Sequence, residues 1–128
     1  MSPMRDSRRA GDIFIRSPEQ PGVRVTFAEA FPDIESLDAA VAETGEGNQG
    51  LGIRRFTRLS AREFVNCSNH RCSGKGFSLG ELLRAMTRGR RTRLSQARSC
   101  LSHEESGRRC PNRFQVDIEL RYKNGNAG

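Results

Sequence analysis

A chain of 128 residues in which Leu, Ile, Val and Phe total 26, with one Tyr and no Trp, has room for one thin core; a metal or a partner is expected to supplement its hydrophobic burial. No run approaches the roughly 18 apolar residues of a membrane span, and the polar stretch 1–9 lacks the apolar core of a secretory signal, which points to a cytoplasmic protein with no membrane partner. Residues 1–53 carry five Arg against nine acids, and residues 54–128 carry seventeen Arg or Lys against six acids, so an acidic annex is expected beside a basic half suited to DNA, RNA or an acidic protein partner.

Residues 1–12 are polar and read as a mobile tail. Residues 13–45 read as the annex, with short strands over Ile13–Ile15 and Gly22–Phe27 and a helix from Asp33. Ile34, Leu37 and Val41 recur at i, i+3 and i+7, and Gly45 ends the pattern. Residues 46–52, EGNQGLG, read as a linker, because Gly and polar residues concentrate there and the charge changes sign.

Residues 53–124 then form the basic main domain. A strand is expected over Glu63–Asn66. Ser78 is a suitable N-cap for a helix from Leu79 to Gly89, with Glu81 completing a capping box and Leu79, Leu82, Leu83 and Met86 on one face. Thr92–Ser99 fits either helix or strand. Phe114, Val116, Ile118, Leu120 and Tyr122 alternate strictly with polar residues and predict a strand, placed at the edge of the sheet.

The four cysteines are spaced C-x4-C (Cys67, Cys72) and C-x9-C (Cys100, Cys110). In a reducing compartment such cysteines read as metal ligands before disulfides, and the first spacing suits a turn that aims two thiolates at one zinc ion. The second loop is longer, but Gly107 and the Pro111-Asn112 pair allow it to fold back. Two ligand loops separated by a helix give an α+β reading: a small zinc-stabilised domain with a zinc-ribbon or treble-clef-like ligand pattern and a short N-terminal strand–helix annex. One structural zinc on Cys67, Cys72, Cys100 and Cys110 is the leading expectation. His70 and His103, each in a C-x2-H spacing, are alternate ligands or neighbours of the thiolates. An iron–sulfur cluster and a redox-responsive thiol site are competing readings.

Four thiolates leave a zinc ion no open position, and no nucleophile stands beside a base, so the expectation is a non-enzyme. Gly74-Lys75-Gly76 precedes the helix without the spacing of a nucleotide-binding loop; its glycines read as a turn out of the metal site, with Lys75 an auxiliary anion contact. Arg84, Arg88, Arg90, Arg91 and Arg93 form an expected cationic ridge for a nucleic-acid backbone. The alternative is a protein-interaction adaptor in which the metal domain is a scaffold.

Overall fold

The computed structural model describes residues 14–16 and 24–124; the tail predicted over residues 1–12 lies outside them. Strands β1 (Phe14–Arg16) and β2 (Arg24–Thr26) form a small antiparallel ribbon. Thr26 then caps a one-turn helix, α1 (Phe27–Ala30), through a reciprocal box with Glu29, which satisfies two otherwise orphaned backbone donors.

The segment expected to be a helix from Asp33 is instead an eleven-residue strand, β3 (Ile34–Thr44). Leu37, Ala39, Val41 and Glu43 are all buried, a period of two rather than 3.6. A register shift between Ile34 and Ser36 brings Ile34 into line as well, and the i, i+3, i+7 spacing that resembles a helix is partly the product of this bulge. The Gly-rich stretch is a tight turn, Glu46–Asn48, running straight into β4 (Gly50–Phe56). It joins two strands paired in one sheet.

Short strands β5 (Phe64–Val65) and β6 (Phe77–Ser78) pair with each other and bracket the first ligand loop. Ser78 caps helix α2 (Leu79–Arg88) by accepting from Glu81 N at 3.0 Å; the Ser78 half of the expected capping box forms. The helix ends at Gly89, and the left-handed turn falls on Arg90, at φ 51°. Thr92–Ser99 resolves as strand β7 (Arg93–Ser99), and β8 (Arg113–Tyr122) carries the alternation seen in the sequence.

The main sheet is antiparallel with strand order β4-β3-β8-β7. Strand β8 is therefore central and not the edge strand expected for it; β4 and β7 are the edges. Its inward residues Phe114, Val116, Ile118, Leu120 and Tyr122 join Leu79, Leu82, Leu83 and Met86 of α2 in one buried cluster with Ile34, Leu37 and Val41. Tyr122 Oη donates to Arg91 O at 2.6 Å, tying the helix exit to the end of β8. The result is a small α+β domain, mostly antiparallel sheet with two helices. Both cysteine-bearing loops lie at the end of the sheet where β8 begins. No helix among the described residues is long and apolar enough to cross a membrane.

Candidate metal centre

The first ligand loop leaves β5 and returns into β6. Its ends are closed by Cys67 N donating to Gly74 O and its middle by Cys72 N donating to Asn69 O, each at 3.2 Å. Gly76 adopts φ 64° directly against the backbone of Val65, where a side chain would overlap the Val65 carbonyl. The glycine is thus required by close approach as well as by conformation. Phe77, next along, packs into the core with its ring 5.0 Å from that of Phe114.

The second loop, between β7 and β8, is a miniature hairpin. Cys100 N donates to Asn112 O, Cys110 N to Ser102 O and Glu104 N to Arg108 O, and Gly107 takes φ 92° at the tip. Nine residues between ligands are therefore no obstacle, because paired backbone brings the two ends together. The two loops are stitched to each other: Leu101 N donates to Gly76 O, Glu105 N to Arg71 O, and Lys75 N to Ser102 Oγ.

These two folds converge all four sulfurs. The Sγ atoms of Cys67, Cys72, Cys100 and Cys110 lie within 4.8 Å of one another, a separation that accommodates one metal ion held by all four. All four cysteines are free of disulfides. His70 and His103 are exposed and outside the cluster.

Hydrogen bonds to sulfur repeat around the site. The backbone N–H two residues after each cysteine points at its sulfur: Asn69 to Cys67 at 3.4 Å, Gly74 to Cys72 at 3.2 Å, Ser102 to Cys100 at 3.5 Å, and Asn112 to Cys110. Donors aimed at sulfur stabilise thiolates rather than thiols. Asn69 adds a side-chain donor, Nδ2 to Cys110 Sγ at 3.3 Å. Burial raises the Cys110 thiol, but Asn112 N–H and Asn69 Nδ2, with the neighbouring Cys67 and Cys72 thiols, bring it below its ordinary value. Burial pushes the Cys67 and Cys72 thiols up, against a single N–H each. Four anionic sulfurs this close repel one another strongly without a cation among them.

Two carboxylates flank the cluster that the sequence reading did not single out. Glu43, on β3 and 4% exposed, places Oε2 3.6 Å from Cys67 Sγ while accepting from Asn112 Nδ2 at 2.6 Å and Ser68 N at 3.1 Å. Arg54 on β4 reaches its other oxygen at 3.2 Å. Burial alone would raise the Glu43 carboxyl; the donors Asn112 and Ser68, with the charge of Arg54, hold it below the usual range. Glu104, in the second loop, accepts from Asn69 Nδ2 and pairs with Arg108, which also binds Glu46 in the β3–β4 turn. Spacing alone carries no signal for Glu43, which is far from the cysteines in sequence and occupies what reads as a helix.

Comparison with known proteins found no matching family, no similar characterised protein and no similar solved structure.

The expected cationic ridge is divided by the fold. Arg84 is held by the buried Glu63 carboxylate through two bonds, of 3.1 and 2.8 Å. Arg90 stacks over the Tyr122 ring at 4.3 Å, and Arg93 pairs with Glu119 at 3.0 Å. Arg88 and Arg91 are exposed, and among the described residues neither has an ion pair. Lys75 is exposed on the ligand loop, away from the helix exit.

Proposed function

We propose that this chain is a small interaction module whose fold is closed by one structural zinc ion on Cys67, Cys72, Cys100 and Cys110. The observation that carries the reading is the backbone N–H two residues beyond every cysteine, directed at its sulfur. Four such donors prepare four thiolates, and zinc prefers that donor set in a closed tetrahedral site. A zinc ion with four sulfurs has no position left for water or substrate, so its contribution is to folding rather than to catalysis. The thin core supplies the reason: binding free energy in such a site is folding free energy.

The deciding experiment is metal analysis of the purified protein with thiols counted before and after chelation. One zinc per chain, and four thiols that become reactive as the zinc leaves, support the proposal. Two disulfides without metal, or an iron–sulfide chromophore, overturn it.

A second element of the reading concerns the surface. Arg88 and Arg91 remain available at the helix exit, and the chain from residue 54 onward is strongly basic. This supports weak, sequence-independent binding to a nucleic-acid backbone, as a smaller contact than the full arginine ridge. Binding to a mixed-sequence duplex should fall steeply with salt, and the logarithmic slope should flatten when Arg88 and Arg91 are both changed to Ala. Salt-insensitive binding, or none at low salt, removes this part.

A further inference from the structure

We infer that the free edge of β4 (Gly50–Phe56) docks an acidic protein segment, which adds to the main sheet as a further strand. This rests on the reading of the chain as an interaction module and names its partner, whichever ion the cysteines hold.

The sheet has two edges, and they differ. On β4, residues 50–53 are all exposed, and a methyl group at Gly50 or Gly52 would meet no atom within 4 Å. Among the described residues, no backbone group of β4 is hydrogen-bonded outside its pairing with β3. Every second residue therefore turns its N–H and C=O away from the sheet, a template that an extended peptide completes. Two of the four large apolar side chains exposed among the described residues are on this strand, Leu51 at 41% and Ile53 at 65%. Strand β7, at the other edge, has Leu94 buried, and its remaining residues are Arg, Ser, Gln and Ala. It offers backbone to a partner but no large apolar side chain to cover.

Charge selects the occupant. Strand β4 carries Arg54 and Arg55 and no acid. Arg54 is paired with Glu43, whereas Arg55 is exposed and has no ion pair among the described residues. Ile53 is in register with Ala42 and Arg55 with Ala40, on the face of β3 opposite the buried Ala39 and Val41. The two side chains therefore project next to each other on the outer face. A strand laid beside β4 would set an apolar residue against Ile53 and, two residues along, a carboxylate against Arg55. A second copy of β4 would instead bring arginine-bearing strands together in chains of net charge +7, which opposes pairing. A nucleic-acid strand would meet Arg55 but has no peptide groups to complete the edge.

The test uses the full chain, with its zinc content and free thiols measured, and a short fluorescein-labelled peptide of alternating glutamate and valine. Anisotropy follows binding, and amide hydrogen exchange locates it. The amides of β4 should gain protection and those of β7 should not. Ile53→Ser should weaken binding about fivefold, and Arg55→Glu about threefold at low salt. Both side chains are exposed, so the fold should tolerate either change. No binding, binding without protection of β4, or protection of β7 in its place overturns the inference. So does protection of β4 that rises with protein concentration in the absence of peptide, which marks a second copy, or displacement of the peptide from these amides by a mixed-sequence duplex. In each of these outcomes a sample with one zinc and four thiols leaves the metal reading standing, while a zinc-free sample that binds the peptide along β4 removes the metal reading alone.

Discussion

Asn69 bridges the two ligand loops, its Nδ2 lying 3.3 Å from Cys110 Sγ and 2.9 Å from Glu104 Oε2. One amide thus orients a sulfur of the second loop from the first and neutralises part of its charge. Asn69→Ala should lower zinc affinity about 10- to 100-fold, the usual cost of losing a group that orients a metal ligand. Competition with a chromophoric chelator measures it. Asn69→Asp should be worse, since a further negative charge would face Cys110 and Glu104.

Arg84 belongs to the fold rather than to a free cationic ridge. Glu63 is 3% exposed and receives Ser78 Oγ as well as both guanidinium bonds. Arg84→Ala strands a buried carboxylate and should cost about 2–4 kcal/mol in urea unfolding, somewhat less than the roughly 3–5 kcal/mol of a fully buried pair because the Arg side chain is 27% exposed. Arg88→Ala should stay within about 0.5 kcal/mol. Loss of nucleic-acid binding in Arg84→Ala without loss of stability would contradict this assignment.

Gly76→Ala should prevent folding or cost more than about 3 kcal/mol, because the new methyl would overlap the Val65 carbonyl at a residue already in the left-handed region. Gly74→Ala is the control: Gly74 also has positive φ, at 80°, but open space around it. It should cost only about 1–2 kcal/mol. Soluble yield and denaturation midpoints distinguish the two.

The Arg108 cluster predicts a pH dependence. Hydrogen bonding to Arg108 holds the carboxyls of Glu46 and Glu104 below their ordinary value of 4.5. A carboxylate with a depressed folded-state pKa stabilises fully above its ordinary value and loses that contribution as pH falls through the lowered one. Arg108→Gln should therefore lower the urea midpoint at neutral pH, and the gap from the unaltered protein should narrow as pH drops below 4.5. A gap constant with pH would show that Arg108 acts through packing alone.

How far the sequence revealed this molecule depended on whether a residue's role was local. The cysteine set was visible because four cysteines in two loops have few uses besides holding a metal ion or forming disulfides. Helix α2 and strand β8 were visible because each satisfies its own period along its length. Strand β3 was hidden for two physical reasons. The bulge at Ile34 and Ser36 breaks the alternation, and Glu43 takes an inward position where an apolar residue would have marked a strand. That burial is compensated by Asn112, Ser68 and Arg54, three residues from three other segments, and no local pattern encodes such a partnership. The central placement of β8 was hidden likewise, since alternation reports that one face is buried and says nothing about neighbours on either side.

That central placement has a consequence for how the protein is made. Strand β8 is inserted between β3 and β7, yet a ribosome releases it after both. Until residues 113–122 emerge, β3 and β7 have no strand between them, and each offers unpaired backbone to any extended chain nearby. Cys110 appears only three residues earlier, so the last ligand and the middle strand become available almost together. If the site takes zinc as proposed, zinc-starved cells should accumulate the chain as aggregate rather than as soluble apoprotein, because the loops that flank β8 then lack the ion that joins them.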